Sequence, residues 1–210
     1  MIGMNIVKRI SSIALTLVMS VMLFGCVQYK TPEDFKPTAP EGCLSGLHHV
    51  EIEIQSYGTI SVELDADKAP ITVTNFIDLA NSGFYNGLTF HRIMDGFMMQ
   101  GGDPEGTGRG GSGTNIAGEF ANNGYDYNDI SHVRGTISMA RSQDMNSASS
   151  QFFIVQSDST FLDGDYAGFG HVTSGMDIVD QICANAPVTD DNGTVLPEDQ
   201  PIITEIRVID

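Results

Sequence analysis

The sequence predicts a mainly β fold: about eight short strands closed into a barrel, with two helices plugging its ends. Three observations carry this expectation. Apolar and polar residues alternate at period two through several segments, only two stretches carry helical spacing, and 23 of the 210 residues are glycine, as a chain with many tight turns requires. An apolar fraction of 41% and a charged fraction of 18% suit one packed domain of ordinary size rather than a disordered chain.

The alternation begins at His49. Val50, Ile52 and Ile54 form one face, and after Ser56–Gly58 (SYG) Ile60, Val62 and Leu64 form another, which predicts a β-hairpin. Val73, Phe76, Ile77 and Ala80 then recur at helical spacing, with Pro70 suited to the first turn and Gly83 to the stop. Short strands are predicted at Thr89–Ile93, Phe97–Gln100, Thr136–Ala140, Phe152–Gln156 and Phe169–Val172. A second helix covers Met176–Cys183, where Met176, Val179 and Ile182 share a face. Ile202–Ile209 closes the chain as a strand, with Ile202, Thr204, Ile206 and Val208 expected on one side.

The N-terminus reads as an export signal over residues 1–25. Lys8 and Arg9 form a positive start, and Ile10–Phe24 is an apolar run shorter than the roughly 20 residues of a membrane span. The run ends in LFGC (Leu23–Cys26), which resembles a lipobox and makes Cys26 the expected lipidation site and membrane anchor. An uncleaved N-terminal anchor is the competing reading. Residues 26–46 contain three prolines and no apolar period, and are expected to act as a tether before the domain at 47–210. Cys43 and Cys183 remain, either paired outside the cytoplasm or as two thiols.

Acidic residues outnumber basic ones 27 to 10, which argues against nucleic acid as a partner, because phosphate binding needs clustered Lys and Arg. GTGRGG (Gly106–Gly111) fits G-x-G-x-x-G, but no strand–helix unit surrounds it and it reads as a surface loop. His48, His49, His91, His132 and His171 lack metal-ligand spacing, so no metal is expected. Ser147, Ser149 and Ser150 lack a nucleophile elbow.

What remains is FHRIMDGFMMQGGD (Phe90–Asp103), in which one arginine and one glutamine stand among large apolar residues with no nucleophile or acid/base pair. Together with ISMARSQDMNSASSQFFIV (Ile137–Val155) and FLDGDYAGFGHV (Phe161–Val172), it resembles the cyclophilin family of peptidyl-prolyl cis/trans isomerases, over about Val50–Val208. The resemblance implies an eight-stranded antiparallel barrel capped by two helices, and an isomerase that needs no cofactor. It implies that Arg92 is the catalytic donor, that Phe97, Met98, Phe153 and Leu162 form the proline pocket, and that Gln100 holds the arginine and touches substrate. It also places an extended peptide along the backbone of Ala140 and Arg141 beside Gln151. Two positions depart from the pattern: Phe161 stands where many members have tryptophan, which removes an indole N–H and weakens cyclosporin binding, and Tyr166 stands where many have histidine. Arg141 is either a second cation at the cleft or a solvated side chain.

The expected partners are proline-containing segments of exported or unfolded proteins, met by a monomer held at the membrane through Cys26, outside the cytoplasm. The rival reading is a lipoprotein that binds proline peptides with little catalysis. The lone arginine weighs against it, because binding alone needs no donor aimed at the prolyl nitrogen.

Overall fold

The computed structural model describes residues 40–210; the expected signal segment, Cys26 and residues 27–39 lie outside the described residues. The elements run β1 (Leu47–Ile54), β2 (Gly58–Asp65), α1 (Pro70–Asn81), β3 (Thr89–Met94), β4 (Met98–Asp103), β5 (Thr136–Met139), β6 (Phe152–Val155), β7 (Gly168–Ser174), α2 (Met176–Asn185) and β8 (Ile203–Val208). The strands form one sheet in the order β3-β4-β6-β5-β7-β2-β1-β8, with every pairing antiparallel.

The sheet curls into a half-barrel, which corrects the expected closed barrel. β3 and β8, the outermost strands, share no ladder and touch through one bridge, Thr89 to Ile202. Beside it Gly87 N donates to Ile203 O at 2.8 Å, Ile203 N to Leu88 O at 2.7 Å and Phe90 N to Pro201 O at 3.0 Å. Pro201 has no N–H to return, and the β3–β4 register shifts at Thr89/Phe90 and again at Phe90/Arg92, so a regular seam cannot form there.

The concave face holds the main core, built from inward residues of every strand and from Val73, Phe76, Ile77 and Ala80 of α1. Phe76 sits at its centre, with ring centroids 5.1 Å from Tyr85, 5.3 Å from Phe152 and 5.2 Å from Phe169. α1 starts with Pro70 and has no local side-chain cap. Its free N–H groups are met from afar: the buried Glu119 carboxylate accepts from Ile71 N at 2.9 Å, Thr72 N at 2.8 Å and Thr72 Oγ1 at 2.7 Å. Residues 40–46, part of the expected tether, contact the domain here: Leu44 N donates to Thr74 Oγ1 at 2.8 Å and Gly46 N to Asp67 Oδ1 at 2.9 Å.

Along β8 the expected apolar face is corrected. The β1–β8 register shifts at Glu53/Ile54, so that Glu53 faces Glu205 while Ile54 faces Ile203 and Thr204 is bulged out. The bulge reverses the side-chain phase: Ile203 and Ile206 are buried, while Ile202 and Thr204 face outward. Cys43 is half-buried and Cys183 buried, and both are free thiols. Burial, with Asp95 and Asp180 nearby, pushes the Cys183 thiol up to about 12, which makes it unreactive.

Candidate active site

β4 and β6 are buried on both faces, and that two-sidedness builds the site. Met99, Phe152 and Ile154 point into the main core, while the alternate residues Met98, Phe153 and Val155 form a second apolar cluster on the convex face. Met94, Phe97, Ala140, Leu162 and Tyr166 pack against that cluster. Register then sets the polar groups beside it. Arg92 on β3 pairs with Gln100 on β4, Gln100 with Phe153 on β6, and Phe153 with Ser138 on β5. Four strands thus place guanidinium, amide, aromatic ring and hydroxyl in one row.

The result is an open cavity of about 130 Å³. Apolar cavities of about 150 Å³ accept benzene, so this one is sized for a single small ring. Arg92, Gln100 and Arg141 line it together with Phe97, Met98, Ala140, Phe153, Leu162 and Tyr166. Gln151 lies in an adjoining cavity of about 160 Å³ that shares Gln100, Ala140 and Arg141. Phe161 does not line the cavity: it stands at the rim, 71% exposed, its ring 5.6 Å from Phe97. Ala140 N donates to Gln151 O at 2.9 Å, joining the two sides of the expected peptide strip.

Arg92 is held at three points. Nε donates to the carbonyl of Asn192 at 2.9 Å, Nη1 to Gln100 Oε1 at 3.3 Å and Nη2 to Met94 Sδ at 3.2 Å. Gln100 is fixed in turn by donating to Gln151 Oε1 at 2.9 Å, and Gln151 donates to Gly110 O at 2.8 Å. A guanidinium has five N–H groups, so two remain for a ligand. Burial lowers the Arg92 pKa, against pull from Tyr166 and Asp190, but it stays cationic at any working pH.

Four contributions escaped the sequence reading. The turn containing Asn192 presents the carbonyl that orients Arg92, and nothing in DDNG marks it as part of the site. Phe120, buried 20 residues upstream of Ala140, forms one side of a sandwich around Arg141: the guanidinium carbon lies 5.1 Å from its ring centre and 4.7 Å from that of Tyr166. Arg141 is therefore a wall of the cavity rather than a solvated side chain. His132 stacks 6.0 Å from Phe153, and its Nδ1 meets Asp163 Oδ1 at 2.9 Å while Nε2 meets Ser138 Oγ at 2.9 Å. Asp163 can only accept, which assigns the proton to Nδ1 and makes Nε2 the acceptor for the serine hydroxyl. Asp163 follows directly on the short turn bearing Phe161 and Leu162 and also accepts from Ser131 Oγ at 2.6 Å and His132 N at 2.7 Å. The rim of the cavity is thereby tied to its floor.

The GTGRGG loop carries its own anion. Asp103 accepts backbone N–H bonds from Glu105 at 2.8 Å, Thr107 at 3.0 Å, Gly108 at 2.6 Å and Arg109 at 3.1 Å. Those donors, which a dinucleotide phosphate would need, are already used. Among the described residues no group of three or more His, Cys, Asp or Glu side chains could hold a metal ion.

A curled antiparallel sheet thus carries an apolar hollow the size of a small ring, with a fixed cation at its edge. Comparison with known proteins gives the class. The sequence profile of the family described as cyclophilin type peptidyl-prolyl cis-trans isomerase/CLD matches residues 49–208. Peptidyl-prolyl cis-trans isomerase A of Dickeya dadantii is 45% identical over 132 residues, covering 60% of this chain and 67% of that protein. Peptidyl-prolyl cis-trans isomerase B of Bacillus subtilis is 47% identical over 118 residues, covering 56% and 78%. The Cryptosporidium parvum cyclophilin type isomerase, whose structure was solved in the presence of the dipeptide Ala-Pro, superposes with a TM-score of 0.67 at 34% identity, over 77% of this chain and 99% of that one. The chain belongs to the cyclophilin-type peptidyl-prolyl cis-trans isomerase family, and its activity is that isomerisation.

Proposed function

We propose that this isomerase acts on X–Pro bonds of exported or surface proteins, outside the cytoplasm and held to a membrane by a lipid on Cys26, with Arg92 as the transition-state donor. Rotation about the X–Pro bond makes and breaks no covalent bond. Its barrier of about 18–20 kcal/mol is lost amide resonance. As the amide twists, the lone pair returns to the prolyl nitrogen, which becomes pyramidal and accepts a hydrogen bond. A donor aimed there stabilises the twisted amide over the planar one and so speeds the reaction rather than merely binding substrate.

The observation that carries the reading is Arg92 fixed at three points at the edge of the cavity, with two N–H groups unspent. Magnitudes limit its share. An acceleration of about 10⁴-fold requires about 5.5 kcal/mol, and one charged hydrogen bond supplies roughly 1.5–3 kcal/mol. The rest falls to the pocket, which holds the ring while the chain turns, and to exclusion of water by Phe97, Met98, Phe153 and Leu162.

The test pairs isomerisation of a proline peptide with a binding titration of the same peptide. Arg92→Ala is expected to lower kcat/KM about 10- to 150-fold while peptide affinity changes much less. Normal turnover in Arg92→Ala would remove the donor role. Binding by the wild type without any turnover would favour the peptide-binding rival.

A further inference from the structure

The described residues contain six Lys and Arg side chains, and they divide cleanly. Lys68 pairs with Asp129 at 2.6 Å, Arg134 with Asp180 at 2.7 Å, and Arg207 with Glu51 at 2.7 Å and Glu205 at 3.0 Å. Arg92, Arg109 and Arg141 form no ion pair among the described residues, although acids outnumber bases 27 to 10 in the sequence. All three line the two adjoining cavities.

The second cavity, of about 160 Å³, carries Arg109 and Arg141 among serines and Gln151, with no acidic side chain in its wall. The carboxylates nearest along the chain are engaged elsewhere. Asp103 accepts the N–H groups of its own loop, Glu105 Oε2 accepts from Thr107 Oγ1 at 3.5 Å, Asp144 accepts from Asn146 N at 2.8 Å, and Asp165 Oδ1 accepts from Asn122 Nδ2 at 2.7 Å. Arg141 is held in place, its Nε donating to Asp165 O at 2.9 Å and its Nη1 to Ser142 O at 2.9 Å, between the rings of Phe120 and Tyr166. Arg109 is exposed, and its guanidinium makes no hydrogen bond among the described residues. Cations left unpaired in so acidic a chain, and gathered on one cavity, are complementary to an anion that the protein itself does not supply.

We propose that the second cavity receives an acidic side chain of the substrate, and that Arg109 and Arg141 make this isomerase selective for proline segments bearing Asp or Glu close to the proline. The proposal rests on the proline-peptide reading of the first cavity. Adjoining cavities that share three lining residues are spanned by two to three residues of extended chain, about 7–10 Å. The acidic residue therefore lies within three positions of the proline. The distant acids of the domain repel such a peptide, but at physiological salt that repulsion is screened beyond about 8 Å, whereas contact with Arg109 and Arg141 is not.

The experiment uses a set of proline peptides differing at one position, Glu, Gln or Lys, placed two or three residues to either side of the proline. Both kcat/KM and Kd are measured at physiological salt for the wild type and for Arg109→Gln. On one side of the proline, Glu is expected to exceed Gln about 5-fold or more, with Lys poorest, and the Glu-to-Gln ratio is expected to fall toward one in Arg109→Gln. Equal handling of Glu and Gln by the wild type, or a ratio unchanged in both Arg109→Gln and Arg141→Gln, overturns the proposal. If no peptide is isomerised, the isomerase reading fails on its own, and the Kd ratios still decide whether the cavity prefers an acid.

Discussion

At the scale of single residues, the site depends on groups that are fixed before substrate arrives. His132 shows how. Its ring is fully buried, stacked on Phe153 and bonded at both nitrogens, and burial lowers its pKa against the raising effect of Asp163. His91 is also buried, and burial lowers its pKa too, in the same sense as nearby Arg92 and against Asp103. In the unfolded chain these imidazoles take up protons near pH 6.5, whereas in the fold they stay neutral to lower pH. The unfolded state therefore binds more protons below pH 6.5, so stability present above that pH is lost as pH falls toward the folded values. Each group contributes a slope of at most about 1.4 kcal/mol per pH unit. Denaturant unfolding at pH 7.5, 6.5 and 5.5 should show declining stability, and His132→Gln should flatten the decline whatever it does at pH 7.5. An unaltered slope in that variant would mean that His132 is not the group being titrated.

At the scale of elements, the guanidinium is positioned by a turn that belongs to none of the named strands. Thr194 forms a bridge with Arg92, Ile93 N donates to Gly193 O at 2.8 Å, and Asn192 O receives the Arg92 Nε proton. Asp190 shapes the turn by accepting from Asn192 N and Thr194 N, each at 3.0 Å. Gly193 has φ +80°, and a Cβ there would collide with the Ile93 carbonyl and lie 2.6 Å from Met94 Cγ. Gly193→Ala must therefore move the turn away from β3 and release the Nε bond. We expect a stability loss of about 1–3 kcal/mol and a several-fold drop in kcat, larger than the change in KM. A loss of stability with kcat intact would show that the turn supports the fold without orienting Arg92.

At the scale of the whole molecule, charge and attachment act together. A chain of net charge −17 is repelled by an anionic membrane surface and stays soluble beside it. We propose that a lipid on Cys26 supplies the attachment. No helix among the described residues is long and apolar enough to cross a membrane. Cys26→Ser should move the protein from the detergent to the aqueous phase on phase separation. A wild-type protein already in the aqueous phase would refute the anchor.

Much of this was legible in the sequence because it depends on local pattern. Period-two and helical spacing located eight strands and two helices, since each element must bury one face. The run from Phe90 to Asp103 was legible through its resemblance to the cyclophilin motifs, which supplied the roles expected of Arg92 and Gln100. Three kinds of feature were decided only by the tertiary structure. The bulge at Thr204 reversed the phase of β8, because register depends on the partner strand β1. The interrupted seam between β3 and β8 left a half-barrel, because closure depends on hydrogen bonds between residues more than a hundred positions apart. Phe120, Asn192 and the His132–Asp163 pair joined the site because folding brings them there, while their own neighbours in the chain give no sign of it. Sequence fixes what each segment can bury; which distant groups then meet is settled by how the sheet curls.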